Sequence, residues 1–346
     1  MKLLVTGGAG FIGSAFVRMM LSGAAARELV VLDKLTYAGN LENLAPVAGD
    51  PRYRFVRGDI CDAALVEQLM AGLHPDAVVH FAAESHVDRS ILSPSPVFET
   101  NLRGTFVLLE AARRIPPGLF VHVSTDEVYG SLPEPLEADE NFPLQPSSPY
   151  SASKAGSDLL ALSYFTTYRV PVIVTRASNN YGPYQFPEKL IPLMIANALE
   201  ERPLPVYGDG GHVRDWLYVE DHCRALAALL EKGRPGEIYN IGGNCALPNL
   251  EVVRRILRIT GKPESLIRFV TDRPGHDRRY ALSSRKIEQE TGWKAETDFD
   301  QGLRRTVAWY QQNSGWVERV RSGEYQRYYE QNYLNREAEI RRLTRC

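Results

Sequence analysis

Tyr150 and Lys154 stand one helical turn apart in the stretch Ser148-Pro149-Tyr150-Ser151-Ala152-Ser153-Lys154. Ser148 can cap a helix whose first position is Pro149, which puts both side chains on one face. An ammonium beside a phenol favours the phenolate, so the pair suits removal of a proton from an alcohol. Alone, the pair reads rather as a surface Tyr and Lys on an ordinary helix. Upstream, Ser124-Thr125-Asp126-Glu127-Val128-Tyr129-Gly130 follows the apolar run Leu119-Phe120-Val121-His122-Val123. A buried strand delivering Thr125, Asp126 and Glu127 at its C-terminal end points to a site, because doubly wound sheets bind ligands there. Two adjacent carboxyls in different environments can hold different protonation states, which fits acid–base work in an elimination.

These groups need a scaffold, and the N-terminus describes one. Lys2-Leu3-Leu4-Val5-Thr6 reads as a short buried strand, followed by Gly7-Gly8-Ala9-Gly10-Phe11-Ile12-Gly13 and an apolar helix through about Leu21. Gly7 allows the tight turn, Gly10 lets the backbone approach a pyrophosphate, and Gly13 lets the helix lie close on the strand. A second strand, Leu29–Leu32, ends in Asp33, about 20 residues beyond the loop, where a ribose-binding carboxylate is expected. Asp33 accepts from a free 2′-hydroxyl and repels a 2′-phosphate, so it favours NAD over NADP, although Lys34 beside it can serve a phosphate.

The alternation continues with strands at Tyr53–Arg57, Ala77–Phe81 and Val170–Thr175, and helices at about Ala63–Gly72 and Pro96–Arg114. Asp59 and Ile60 end the third strand, where Asp59 either accepts from an adenine amine or caps the next helix. Repeated strand–helix units with short loops predict a parallel sheet with right-handed crossovers. The expected fold is α/β: a Rossmann-type doubly wound parallel sheet with a smaller, mixed α/β C-terminal substrate-binding domain. Residues 1–178 form the NAD-binding part with the catalytic groups, and 179–346 the substrate part, with some chain crossing back to the sheet. After Pro183 the composition shifts toward Pro, Arg and aromatics.

The 346 residues are 44 % hydrophobic and 24 % charged, with 40 basic against 42 acidic groups and a net charge of -2. Without a basic excess, neither nucleic acid nor an anionic membrane is an expected partner, and an anionic ligand needs a local site. Cys61, Cys223, Cys245 and Cys346 form no C-x-x-C pair, so free thiols and no metal site are expected. The start does not read as a signal peptide, and no apolar run is long enough for a membrane span. A cytoplasmic location follows as the expectation. The tail beyond about Ser314 reads as a solvated helix near Arg336–Arg345.

Gly7-x-x-Gly10-x-x-Gly13, Tyr150-x-x-x-Lys154 and Arg214-Asp215-Trp216 resemble the extended short-chain dehydrogenase/reductase family, whose members act on nucleotide sugars. Asp33–Asn40, Ala82–Asp88, Ser124–Gly130 and Asp272–Asp277 are similar to its 4,6-dehydratase branch, from Met1 to about Tyr310. Sister 4-epimerases lack the Asp–Glu pair, and decarboxylases usually carry Ser for the Asp. The resemblance implies NAD contacts at Phe11, Ile12, Asp33, Lys34, Leu35, Thr36, Asp59 and Ile60. Phe81, Ala82, Ala83, Ser85 and Thr100 continue the groove, with Tyr150, Lys154 and Asn179 at its nicotinamide end. Ser85 and Thr125 also touch the sugar. Lys189, Leu190, Pro205, Tyr207, Arg214, Asn249, Asp272, Arg273 and His276 resemble the family's nucleoside-diphosphate clamp. Physically, Lys189, Arg214 and Arg273 can neutralise a pyrophosphate, Asn180 and Asn249 can donate to it, and Tyr207 can stack on a pyrimidine. The family further implies a homodimer packed through the 96–114 helix and the Tyr150 helix.

The chemistry expected is NAD-dependent dehydration of a nucleoside-diphosphate glucose. Thymidine against uridine is not legible, since discrimination of one methyl is worth only about 1–3 kcal/mol and rests on pocket shape. A silent NAD-binding sensor has no need of Tyr150, Lys154, Asp126 and Glu127 together.

Overall fold

The structure, a computed structural model, describes residues 1–321. The helix expected near Arg336–Arg345 and Cys346 lie outside the described residues. Seven parallel strands form the central sheet: β1 (Lys2–Thr6), β2 (Glu28–Asp33), β3 (Tyr53–Arg57), β4 (Ala77–His80), β5 (Leu119–Thr125), β6 (Val172–Ala177) and a late strand, Ile238–Ile241. The late strand lies beside β6, and the spatial order from the other edge is β3-β2-β1-β4-β5-β6. Successive side chains point to opposite faces of a sheet. Leu3, Val5, Val31, Val79 and Val121 therefore pack in one apolar layer, while Leu4, Val30, Leu32, Val78 and Phe120 pack in another. Both layers are buried, which is why these strands read as continuous apolar runs without alternation.

The boundary differences have local causes. The sixth strand starts at Val172, two residues later than its apolar run, because Pro171 has no amide to give and its carbonyl serves Phe120 N instead. The long helix expected over 96–114 is interrupted by a π-helical turn, Glu99–Gly104. There Asn101 turns its side chain out to bond Glu84 N, Glu84 O and Ser153 Oγ, while Thr105 Oγ1 donates to Asn101 O. Such bulges trade helical regularity for the placement of one side chain.

The second half of the chain adds β7 (Asn179–Tyr181), β8 (Leu204–Tyr207) and β9 (Val213–Tyr218). It then crosses back as the helix Val219–Lys232 and the late sheet strand, β10, before β11 (Ala246–Pro248) and β12 (Ile267–Val270). β11, β9 and β7 form a three-stranded sheet, and β8 pairs with β12. A separate aromatic-rich core of Tyr181, Trp216, Tyr218, Phe299, Tyr310 and Trp316 packs this half. Among the described residues, no helix is long and apolar enough to cross a membrane.

Two glycines of the first turn are fixed by the fold itself. Gly7 has φ +71°, and a Cβ there would lie 2.5 Å from Ala82 N; a Cβ on Gly13 would collide with the Gly7 carbonyl. Gly10 differs, because its Cβ would meet only Gly7 O, at 3.3 Å, leaving room above it for a ligand. Gly13→Ala should thus destabilise the protein by about 1–3 kcal/mol through forced overpacking. Urea unfolding measures this, and an unchanged midpoint would show that the loop yields freely.

Candidate active site

Parallel pairing brings the C-terminal ends of β1, β2, β4, β5 and β6 to one edge, where a cleft of about 350 Å³ opens. Gly7, Gly10, Phe11, Ile12, Gly13, Asp33, Lys34, Thr36, Asp59, Ile60, Phe81, Ala82, Ala83, Ser85, Thr100, Tyr150, Lys154 and Asn179 all line it. Leu35 does not; it takes φ +58° and gives its amide to Asp33 Oδ1 at 2.8 Å. The other oxygen of Asp33 accepts from Ala9 N at 2.9 Å, which ties the glycine turn to β2. The helix Phe11–Ser22 begins at Gly10 with neither a side-chain cap nor an acid in its first turn. Free amides at a helix N-terminus beside an open glycine fit a pyrophosphate. Asp59 is not the cap of the next helix, since Asp62 holds that place through Leu65 N. It pairs instead with Lys34 at 2.7 Å.

Thr125, Asp126 and Glu127 line the same cleft at the end of β5. Thr125 Oγ1 accepts from Glu127 N, starting a short 3-10 turn that places both carboxyls side by side. Burial raises Asp126 well above the usual carboxylate range; the Glu127 and then the Asp215 charge add to this, and Arg214 opposes it. Glu127 is half-buried and also raised by burial, against the pull of Arg273, Lys189 and Arg214. Three cations favour a charge on Glu127, while Asp126 Oδ2 has no hydrogen-bond partner. One proton on Asp126 and a charge on Glu127 is the distribution this geometry favours.

The helix Pro149–Tyr168 starts with a reciprocal cap between Ser148 and Ser151, with Pro149 at its first position. Tyr150 and Lys154 are both buried. Lys154 Nζ donates to the Val123 carbonyl at 2.8 Å, so in this structure the ammonium is pinned to β5. Burial pulls it down to about 8, and Asp158 opposes that pull. Burial, then the Glu127 charge, push the Tyr150 phenol up, while the Thr125 hydroxyl works the other way.

Of the candidate clamp, Asn180, Lys189 and Leu190 line the cleft, whereas Pro205, Tyr207, Arg214, Asn249, Asp272, Arg273 and His276 do not. Asp88 ties two of these to each other, accepting from Tyr207 Oη at 2.9 Å and facing Arg273 at 3.4 Å. Lys189 Nζ donates to Ser85 O at 2.7 Å. The rings of His212 and His276 stack at 3.7 Å and 12°, and each reaches a separate oxygen of Asp272. Burial works against a charge on Asp272, yet these two hydrogen bonds hold it well below the usual carboxylate range. The ligand atoms of the trio lie within 4.8 Å of one another, and each imidazole meets its own oxygen of Asp272, which ties the segment before β9 to the one after β12. Sequence reasoning missed Glu188, a cleft-lining carboxyl that burial pushes up to about 7 and that accepts from Arg89 Nε at 3.2 Å. It missed His212 too. Neither sits in a spacing that announces it.

This is the edge of a dinucleotide sheet equipped to move protons on an alcohol carbon and its neighbours. The chain belongs to the family described as GDP-mannose 4,6 dehydratase, which it matches across residues 4–306. It is 54 % identical to dTDP-glucose 4,6-dehydratase of Shigella flexneri over 97 % of this chain and 100 % of that protein. With dTDP-glucose 4,6-dehydratase of an Actinoplanes species the identity is 56 %, covering 91 % of this chain and 99 % of the other. The solved structure of DesIV, a dTDP-glucose 4,6-dehydratase from Streptomyces venezuelae with NAD bound, superposes with TM-score 0.90 at 55 % identity, covering 92 % of this chain and all of that one. A UDP-glucose 4-epimerase from Thermus thermophilus, in complex with NAD, reaches TM-score 0.84 at 35 % identity, covering 90 % of this chain and all of its own. Fold alone does not separate the two chemistries.

The raised Asp126 gives a stability test. Its folded pKa lies above its unfolded value of about 3.9, so its contribution is full below that pH and is lost as pH rises toward the folded value. Asp126→Asn should therefore match the wild type near pH 4 and become progressively more stable than it toward neutral pH. Urea midpoints across that range measure the gap; a constant difference would mean that Asp126 ionises normally.

Proposed function

We infer that the chain catalyses the NAD-dependent dehydration of dTDP-glucose to dTDP-4-keto-6-deoxyglucose, by oxidation at C4, loss of water across C5 and C6, and reduction at C6. The carrying observation is the pair of unlike carboxyls, Asp126 shielded and Glu127 open to the cleft, on the strand end beside Tyr150. An epimerase needs no such pair. The thymidine nucleotide is favoured over uridine by relatives of that name at 54 % and 56 % identity, against 35 % for the UDP-sugar epimerase.

When bound, NAD accepts the C4 hydride and returns it to C6. Gly7, Gly10, Gly13, Asp33 and Asp59 hold it along the cleft, with Lys154 and Asn179 at the reacting end. Tyr150 takes the proton of the C4 hydroxyl, and Thr125 hydrogen-bonds the C4 oxygen. Glu127 removes the C5 proton, which the 4-ketone has acidified. Asp126 gives its proton to the C6 hydroxyl, which leaves as water, and Glu127 returns its proton to C5. Lys189, Arg214 and Arg273 neutralise the diphosphate, Asn180 and Asn249 donate to it, and Tyr207 stacks on the base with Leu190, Pro205, Asp272 and His276 around it.

A second copy of the chain docks on the face shared by the Thr105–Arg114 and Pro149–Tyr168 helices. Phe98, Phe106 and Leu159 are 42 %, 45 % and 58 % exposed there, a costly arrangement for a lone monomer. A cytoplasmic location fits the free thiols of Cys61, Cys223 and Cys245. Sedimentation of Phe106→Glu/Leu159→Glu should show half the wild-type mass; an unchanged mass would place the interface elsewhere.

Isotope tracing tests the reaction. With dTDP-glucose carrying deuterium at C4, the product should hold that deuterium at C6. In heavy water, unlabelled substrate should gain solvent deuterium at C5 through Glu127. Label still at C4 would indicate an epimerase, and label lost to solution a simple dehydrogenase; either would overturn the dehydratase reading.

A further inference from the structure

The helix Pro149–Tyr168 carries a third polar side chain in line with Tyr150 and Lys154, and the chemistry above leaves it unused. Asp158 lies one turn beyond Lys154 and is wholly buried. Its Oδ2 accepts from Arg176 Nε at 2.9 Å, while Oδ1 faces His122 Nε2 at 3.4 Å and has no hydrogen-bond donor. Arg176, on β6, is 2 % exposed and donates to Tyr129 Oη at 2.9 Å, which donates in turn to Asn240 Oδ1 at 2.7 Å. A buried ion pair is weak evidence for stability, since well-packed apolar residues of similar volume often serve as well or better. Its place one turn behind the catalytic pair suggests another reason.

Lys154 supplies that reason. The ammonium is 3 % exposed, and its acceptor, the Val123 carbonyl, is neutral. Around it are Asp158 from its own helix, His122 from β5, His80 from β4 and, beyond Asp158, Arg176 from β6. Burial holds both histidines neutral, with His122 pulled down to about 4. Asp158 is the anion that opposes burial of the ammonium. It also disfavours a charge on Tyr150, but less than Glu127 and Asp126 do. We propose that Asp158, clamped by Arg176, is the counter-ion of Lys154, a positioning residue that keeps the ammonium charged one turn from Tyr150. The inference rests on the proton-transfer role given above to Tyr150 and Lys154.

The test uses the NAD-loaded enzyme without substrate. Lysine labelled with carbon-13 at Cε reports the titration of Lys154 by NMR, and Lys154→Met assigns the resonance. Asp158→Asn should move that titration down by about one pH unit or more, and Asp158→Glu, which keeps the charge, should restore it. Asp158→Asn strands Arg176 in the core, so the double variant Asp158→Asn/Arg176→Gln, which leaves no unpaired buried charge, is measured beside it and should move in the same direction. With dTDP-glucose at neutral pH, the loss of C4 deuterium should slow with the charged fraction of Lys154, about twofold as its titration falls from about 8 to the assay pH and about tenfold for each pH unit below that. A Lys154 titration unmoved in the double variant overturns the counter-ion role. A wild-type enzyme that leaves C4 deuterium in place would instead overturn the reaction, so the two failures are distinguishable.

Discussion

Two neighbouring carboxyl groups held out of water at the end of one strand are the constraint that shapes this molecule. A dry pocket penalises charge, and a second charge a few bonds away is penalised again, so burial raises both carboxyls and the Glu127 charge raises Asp126 further. Which one does is decided by cations brought from elsewhere. Arg214, Arg273 and Lys189 all favour the Glu127 carboxylate. Each is fixed by a further contact: Lys189 on Ser85 O, Arg273 on Asp88, and Arg214 on the Val213 and Asp277 carbonyls. The same cations that set the proposed acid and base apart are the ones proposed to hold the diphosphate. On that proposal, substrate binding and proton placement are one electrostatic arrangement.

The parallel sheet makes that arrangement possible, because it sends every strand end to the same edge. Its seventh strand comes from the far side of the substrate half, and the return has a consequence for the site. β10 places Asn240 against Tyr129, and Tyr129 braces Arg176. The polar chain from Asn240 to Asp158 links the returning strand to the turn after β5, to β6 and to the Pro149–Tyr168 helix. Such a chain rigidifies its surroundings because breaking a contact leaves a buried polar group unsatisfied.

What was legible in the sequence was local. The glycine spacing, Asp33 at the end of the second strand and the Tyr150–Lys154 turn follow from backbone geometry within a few residues, and each lies where that geometry puts it. What was hidden depends on chain segments meeting from afar. His212 stacks on His276 across 64 positions of sequence, and the buried Glu188 meets Arg89, 99 positions away. The π-helical turn at Glu99–Gly104 exists to serve Glu84 and Ser153, neither of which is a neighbour in sequence. Propensity has no view of such partners.

Cofactor choice shows how a non-local contact can sharpen a local one. Asp33 argues against a 2′-phosphate and already favours NAD in the sequence, although Lys34 beside it can serve a phosphate. In the fold that objection weakens. The Lys34 ammonium is committed to Asp59 at 2.7 Å, a carboxylate delivered by the neighbouring strand β3, and that hydrogen bond raises the affinity of Lys34 for its own proton. A phosphate placed here would have to break that pair and face two carboxylates, Asp33 and Asp59, with one lysine to offset them. A free 2′-hydroxyl needs only an acceptor, and Asp33 is one whose other contacts, to Ala9 N and Leu35 N, already fix its orientation. Lys34, more than half exposed and engaged by Asp59, thus does little to offset the preference that Asp33 sets.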